Sequence, residues 1–291
     1  NIVDSNDIDT TIKWCEGLGA IIKRNNDRVI IKGVNNDLSY AQALFNCVKD
    51  KIAKKWNLDI NMRCHICNNI LLGTFLVDSW GQKICSKHKI EYCTSCGRFV
   101  KSTDIHLSDG RCLCSFCKSS IVVTPQHVSW VNQKVRDILL KIGFGALPMN
   151  IPIQIVTPQE MAKLNGTGVV NFNQAGLTKY RKVSSTSSSK KEYRIYVLDY
   201  FQKVKFAGVL AHELIHVWQY EKDIALSTQL TEGLCNLASY LVYKDINTDL
   251  SRMYIKFLQE DPDPIYGAGF RRVLEVYKYK KNIRDTINFL K

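Results

Sequence analysis

No stretch of the 291-residue chain holds enough consecutive apolar residues to span a bilayer, which excludes an integral helical membrane protein. Acidic residues are outnumbered, 27 Asp plus Glu against 40 Lys plus Arg, for a formal charge of +13. That sign invites a nucleic-acid partner through phosphate neutralisation. The basic residues are mostly Lys scattered among Asn and Ile, however. The densest patch (Arg271, Arg272, Lys278, Lys280, Lys281, Arg284 and Lys291) carries Leu274, Val276 and Tyr277 at helix-like spacing. It reads as the solvated face of a helix, so nucleic acid is not an expected partner. The chain opens Asn1-Ile2-Val3 without a Met; its natural start lies upstream, and a removed signal peptide is compatible with this opening. Histidine is scarce at 6 residues, which makes any patterned pair of them informative. With 45% hydrophobic and 23% charged residues the composition is globular rather than disordered, and the length allows two or three compact units.

Cysteine, by contrast, is plentiful, 11 in all. Seven of them, together with His88, form four pairs: Cys64/Cys67, Cys85/His88, Cys93/Cys96 and Cys114/Cys117. Both long arms, from Cys67 to Cys85 and from Cys96 to Cys114, enclose seventeen residues. Such spacing belongs to structural zinc and not to a disulfide framework, and it favours a reducing, cytoplasmic compartment. Eight ligands imply two structural Zn2+ ions. Sequential pairing of the ligand pairs would give a LIM-type module; crossed pairing would give a RING-type module and hint at a ubiquitin ligase. His65, His106 and Cys112 are left over, with His106 the best substitute ligand. Cys15, Cys47 and Cys235 sit alone in amphipathic patterns and read as small buried apolar residues.

The organisation follows from these patterns. Residues 1–60 read as a small α+β element, with a hairpin signal around Asn25-Asn26-Asp27 and an amphipathic helix from Leu38 to Trp56. Residues 61–120 are the double-zinc module. Residues 121–291 alternate helix and strand patterns: a helix over Val128 to Ile142, strands at Pro152 to Val156 and Tyr193 to Leu198, a mobile Ser/Lys-rich loop from Ser184 to Lys191, and an almost wholly helical remainder from Phe201. The expected fold class is α+β, a small zinc-binding module followed by a mainly helical domain with a small sheet.

His212-Glu213-Leu214-Ile215-His216 is H-E-x-x-H within an apolar helical stretch from Val204 to Trp218. One helical turn separates the two rings, so both face one side and can share a Zn2+. Glu213 then lies beside the metal, placed to take a proton from water as general base. A catalytic zinc needs a third protein ligand and an open position. Glu232, in Thr231-Glu232-Gly233-Leu234-Cys235-Asn236, supplies it from the next helical pattern, Leu226 to Tyr243. Asn236, one turn further, would orient a ligand from behind. Pro264-Ile265-Tyr266-Gly267-Ala268-Gly269-Phe270 resembles the Tyr-x-x-Gly-Phe run that carries the oxyanion-binding Tyr of zinc aminopeptidases, making Tyr266 a candidate donor to the tetrahedral oxyanion; spacing alone equally fits a core or turn Tyr.

Taken together, these residues resemble one family, the plant LIM-domain zinc peptidases that restrict organ growth and are activated by ubiquitination, together with their bacterial relatives. The resemblance rests on Ile84-Cys85-Ser86-Lys87-His88, Tyr92-Cys93-Thr94-Ser95-Cys96, Ser108-Asp109-Gly110-Arg111-Cys112-Leu113-Cys114, Leu210 to Trp218, Glu232-Gly233-Leu234-Cys235 and Pro264 to Arg271, in that order, and covers about residues 61–291. It implies a gluzincin-like metallopeptidase domain behind a LIM-like module, hence sequential zinc pairing: Cys64, Cys67, Cys85 and His88 on one structural zinc; Cys93, Cys96, Cys114 and Cys117 on the other. The plant members carry ubiquitin-interacting helices upstream. Leu38 to Asp50 has the Ala-centred spacing of such a helix but lacks its acidic lead-in and its Ser, so ubiquitin or ubiquitinated proteins are only a secondary expectation as partners.

The sequence thus predicts one catalytic and two structural zinc ions and hydrolysis of protein or peptide substrates. The strand Tyr193 to Leu198 is expected to pair with an extended substrate. No Gly-x-Met-Glu-Asn run grips a free amino terminus, which favours an endopeptidase. The rival readings are an adaptor built on the zinc module with a weakly active peptidase scaffold, and a RING-type ligase.

Overall fold

The computed structural model describes residues 21–25, 28–32, 62–71, 74–184 and 189–291. The chain divides into two compact units, Asn1–Lys89 and Ile90–Lys291. In the first, β1 (Ile21–Asn25) and β2 (Arg28–Lys32) form the expected antiparallel hairpin. The helix expected over Leu38 to Trp56, its ubiquitin-binding reading, and Cys15 and Cys47 all lie outside the described residues. Two further short strands, β3 (Phe75–Val77) and β4 (Lys83–Cys85), pair antiparallel. The Asp78 carboxylate accepts from the backbone N–H groups of Trp80 and Gln82 and so closes the turn between them.

The second unit opens with the hairpin β5 (Ile105–His106) and β6 (Cys112–Leu113), followed by the short helix α1 (Ser115–Lys118). Helix α2 (Pro125–Lys141) starts where Thr124 accepts from the His127 N–H and Pro125 occupies the first turn, and it buries Val131, Val135 and Leu139 at four-residue intervals. Strand β7 (Ile153–Val156) leads into α3 (Pro158–Asn165), which carries a Thr157/Glu160 capping box and ends at left-handed Gly166. Strands β8 (Gly176–Ser184) and β9 (Ser189–Leu198) follow. The rest is helical, as the periodicity predicts: α4 (Lys203–Glu221), α5 (Thr228–Ile246), α6 (Asp249–Glu260), α7 (Tyr266–Lys280) and α8 (Ile283–Leu290). The basic C-terminal patch lies on α7 and α8 with Arg271, Arg272 and Lys278 exposed, a solvated face. None of the described helices is long and apolar enough to cross a membrane.

Helix α4 is the centre of this unit. Phe206, Leu210, Ala211, Leu214, Ile215 and Val217 are all buried, because α2, α5 and the sheet cover different sides of the helix. An α-helix apolar on most of its circumference is stable in water only when surrounded in this way. The sheet runs in the order β7-β9-β8, with β9 parallel to β7 and antiparallel to β8.

Two sequence expectations need revision. The Ser/Lys-rich run is not a loop throughout: β8 extends to Ser184 and β9 begins at Ser189, with cross-strand pairing overriding local composition, and residues 185–188 lie outside the described residues. Strand β9 is not placed to accept a substrate strand along Ile195–Leu198, since those residues already pair with β7 on one side and β8 on the other; the edge positions belong to β7 and β8, and of the two β8 is the one that touches Glu213. The sequence divided the chain at 60/61 and 120/121, of which 60/61 lies outside the described residues; the two compact units are divided at 89/90. The second Cys cluster packs with the helices that follow it. Ser95 Oγ accepts from Gln202 N, the Tyr254 hydroxyl donates to Ser95 O, Lys205 Nζ donates to Thr94 O, and Arg111 bonds the Asp199 carboxylate. Ligand spacing is a local property and cannot reveal such long-range contacts.

Metal binding in the second Cys cluster should therefore support the whole helical unit. Replacing Cys96 with Ser is expected to lower the thermal midpoint of the helical CD signal by many degrees, since a structural zinc contributes on the order of 10 kcal/mol, whereas Cys67→Ser should leave that transition in place. An unchanged midpoint in Cys96→Ser would show that the cluster is merely appended.

Candidate metal centres

Cys64, Cys67, Cys85 and His88 bring one ligand atom each within 4.8 Å of one another, and so do Cys93, Cys96, Cys114 and Cys117. The grouping is sequential, not crossed. Cys67 Sγ lies 4.0 Å from Cys85 Sγ, and Cys96 Sγ 3.6 Å from Cys114 Sγ. These separations are far too long for disulfides but bracket the edge of about 3.8 Å expected between thiolates on a tetrahedral zinc. His88 Nε2 is buried without a hydrogen-bond partner among the described residues, as suits a ligand nitrogen. Both clusters thus have the chemistry of zinc sites. Beside the second lies Lys205, whose ammonium is pushed down to about 8 by burial while the thiolates of Cys93, Cys117 and Cys96 pull the other way. Four thiolates on one Zn2+ leave two negative charges, and a partly buried cation is the natural counterweight.

The third constellation is built on α4 and α5. His212 and His216, one turn apart on α4, both point Nε2 at Glu232 Oε2 from α5, at 3.1 and 3.5 Å. Zinc–nitrogen and zinc–oxygen bonds near 2.1 Å give a donor–donor edge of about 3.4 Å, so the three atoms fit a shared ion. Asn236, one turn beyond Glu232, takes up His212 from behind, with 2.9 Å between Nδ1 and Oδ1. The amide oxygen accepts, which fixes the proton on Nδ1, as ligation through Nε2 requires. The same amide donates to Tyr266 O at 3.2 Å and so ties the start of α7 to the site.

Tyr266, half-exposed at the head of α7, stands 6.3 Å from the His212 ring, centroid to centroid. Burial and the nearby Glu232 carboxylate raise its pKa, so at neutral pH it is a phenol able to donate. A close crossing of α7 on α5 brings it there: a Cβ at Gly233 would overlap the Gly269 carbonyl, and one at Gly269 would overlap that of Gln229.

Glu213 is buried and its carboxylate is gripped from β8. Thr178 Oγ1 donates to Oε2 at 2.7 Å, and a Cβ at Gly176 would overlap Oε1. Neither Gly176 nor Thr178 stood out in the sequence, because a contact from an edge strand thirty-five residues away leaves no local spacing signal.

Cys235 is buried, as its pattern suggested, but it is not merely apolar filling. Its sulfur lies 3.5 Å from His216 Nδ1 and 3.6 Å from Gln219 Oε1, and one ligand atom from each of His212, His216 and Cys235 lies within 4.8 Å of the others. Orientation separates it from Glu232: both Nε2 atoms face the carboxylate, whereas Cys235 faces the opposite nitrogen of His216. Cys235 is thus placed to brace the His216 ring, and Glu232 is the group that both Nε2 atoms face. Burial would raise the Glu232 pKa, but the hydrogen bonds from His212 and His216 hold it down at about 2. For His216 burial opposes the charged ring, and the facing sulfur of Cys235 and the carboxylates of Glu232 and Glu213 outweigh it, raising the pKa. Cys235 itself is pushed up to about 11 by burial and is a thiol at neutral pH, so the carboxylates carry the charge that acts on His216.

Comparison with known proteins finds DA1 proteins and a LIM domain-containing protein. Protein DA1 of Arabidopsis thaliana is 22% identical over 72% of this chain and 51% of its own length. Protein DA1-related 7 of the same plant is 21% identical over 72% of this chain and 49% of its own. The LIM domain-containing protein HDR3 of Oryza sativa subsp. japonica is 25% identical over 56% and 39%. The chain thus spans about half the length, or less, of the curated relatives it matches. No family model matches it, and no solved structure does.

Glu232→Ala is expected to abolish zinc retention at the His212/His216 site, and Asn236→Ala to weaken it by roughly 10- to 100-fold, read by competition with a chromophoric chelator. Both imidazoles must be neutral to ligate, so affinity should fall as pH falls. The raised His216 pKa carries this proton competition into the neutral range. Calorimetry in buffers of different ionisation enthalpy should show proton release on zinc binding at pH 7; absence of release would contradict the assigned ligands.

Proposed function

We propose that the chain is a zinc-dependent peptidase of the gluzincin type, acting on internal bonds of protein or peptide substrates. The observation that carries this reading is the convergence of His212, His216 and Glu232 around one point with Glu213 buried beside it. A purely structural zinc site would need no such carboxylate. A bound Zn2+ supplies a polarising positive charge for water and for the scissile carbonyl.

The residues of the chain account for the rest. Glu213 removes a proton from the attacking water and delivers it to the amide nitrogen as the C–N bond breaks. Thr178 and Gly176 limit where its carboxylate can sit, which places the base before substrate arrives. Tyr266 donates a hydrogen bond to the carbonyl oxygen as negative charge develops there. Asn236 keeps the His212 ring in the ligating tautomer. An extended substrate adds to the edge strand β8, the same strand that grips Glu213, so the peptide backbone is registered against the base.

A second reading, supported by the LIM-domain relative and the two Cys clusters, is a protein-interaction adaptor whose α4–α5 site binds zinc without turnover. Glu213→Gln distinguishes the two. As a peptidase, the variant keeps its zinc and loses cleavage of an unfolded protein substrate by about 10²- to 10⁴-fold; undiminished cleavage would remove Glu213 as the base. Tyr266→Phe should lower kcat by roughly 10²-fold, with zinc content and KM little changed.

A further inference from the structure

We propose that Glu91, His106 and Cys112 form an additional divalent-metal site, of the zinc class, beside the second Cys cluster. One ligand atom from each lies within 4.8 Å of the others. His106 and Cys112 are directly opposed in the β5–β6 ladder, and directly opposed residues project from the same face of a sheet. Glu91 reaches the same place from the segment just ahead of Cys93.

The hydrogen bonding of His106 points to a cation. Its Nδ1 lies 3.1 Å from the Asp104 carbonyl oxygen. A carbonyl only accepts, so Nδ1 carries the proton. In the neutral ring the lone pair is then on Nε2, and Nε2 faces Glu91 Oε2 at 3.1 Å. An ionised carboxylate also only accepts, so a positive centre must stand between them, either a second ring proton or a metal ion. The buried sulfur of Cys112 favours the metal. A nitrogen, an oxygen and a sulfur donor together suit zinc and not the oxygen-seeking cations. His212 shows the same arrangement, with Nδ1 engaged from behind and Nε2 turned to a carboxylate.

The site is preorganised. The Asp104 carboxylate accepts from the backbone N–H groups of Lys101 and Ser115, fixing the turn that presents the Asp104 carbonyl to His106. Thr94 N donates to Cys112 O, holding the Cys112 strand against the first turn of the cluster. His106 is 40% exposed and Glu91 26% exposed at the side chain, so water can fill the remaining corner and the ion can exchange. With one thiolate, one carboxylate and a neutral imidazole, a Zn2+ there is charge-balanced.

The full chain, reconstituted with zinc and analysed by native mass spectrometry, should take up four equivalents, one for each donor group among the described residues. In its 113Cd-substituted form, one resonance should report a single sulfur ligand, apart from the sulfur-rich clusters and the sulfur-free α4–α5 site. His106→Ala and Glu91→Gln, both at partly exposed positions, should each remove that equivalent and that resonance alone. Cys112→Ser should do the same, and should fold as the wild type by CD. Three equivalents in the wild-type chain would overturn the proposal and leave a protonated His106 paired with Glu91. So would retention of the fourth ion by His106→Ala and Glu91→Gln while Cys112→Ser loses it, since Cys112 would then serve the neighbouring cluster instead.

Discussion

A carboxylate withdrawn from water must be matched by positive charge or it will take up a proton. Glu232 remains ionised because two imidazole edges face it, and the three groups together leave room for a divalent ion at ligand-edge distances. Much of the helical unit serves to hold that meeting in place. Helix α4 carries the rings, α5 the carboxylate, and the glycine crossing of α5 and α7 sets how closely Tyr266 can approach. A side chain larger than hydrogen at Gly233 or Gly269 would push α7 outward and take Tyr266 with it.

The site is braced from its far sides as well. Asn236 and Cys235 stand behind the two imidazoles, and Thr178 with Gly176 stands behind Glu213. At the start of α4, the second Cys cluster is joined to the helix by Ser95, Thr94 and Arg111 through bonds to Gln202, Lys205 and Asp199. The charge pattern is consistent along this seam. A Cys cluster sits against a partly buried lysine, and a buried arginine is shared between Asp109 and Asp199. The cluster is therefore tied directly to the start of the helix bearing His212 and His216.

The ligand pairs, the H-E-x-x-H helix, the Glu232 turn and the approximate extents of α2, α4 and α5 were all legible in the sequence. Each depends on a spacing of a few residues along one element, and the helix or turn converts that spacing directly into direction. The same logic made Asn236 legible, one turn from Glu232. What required the folded chain were meetings between elements distant in sequence: Thr178 and Gly176 on Glu213, Cys235 behind His216, the interior place of β9, the attachment of the second cluster to α4, and the choice of sequential zinc grouping over crossed. Residue types and local periods specify what each element can offer; packing alone decides which offers coincide, because coincidence depends on helix separations and strand order that no short window of sequence contains.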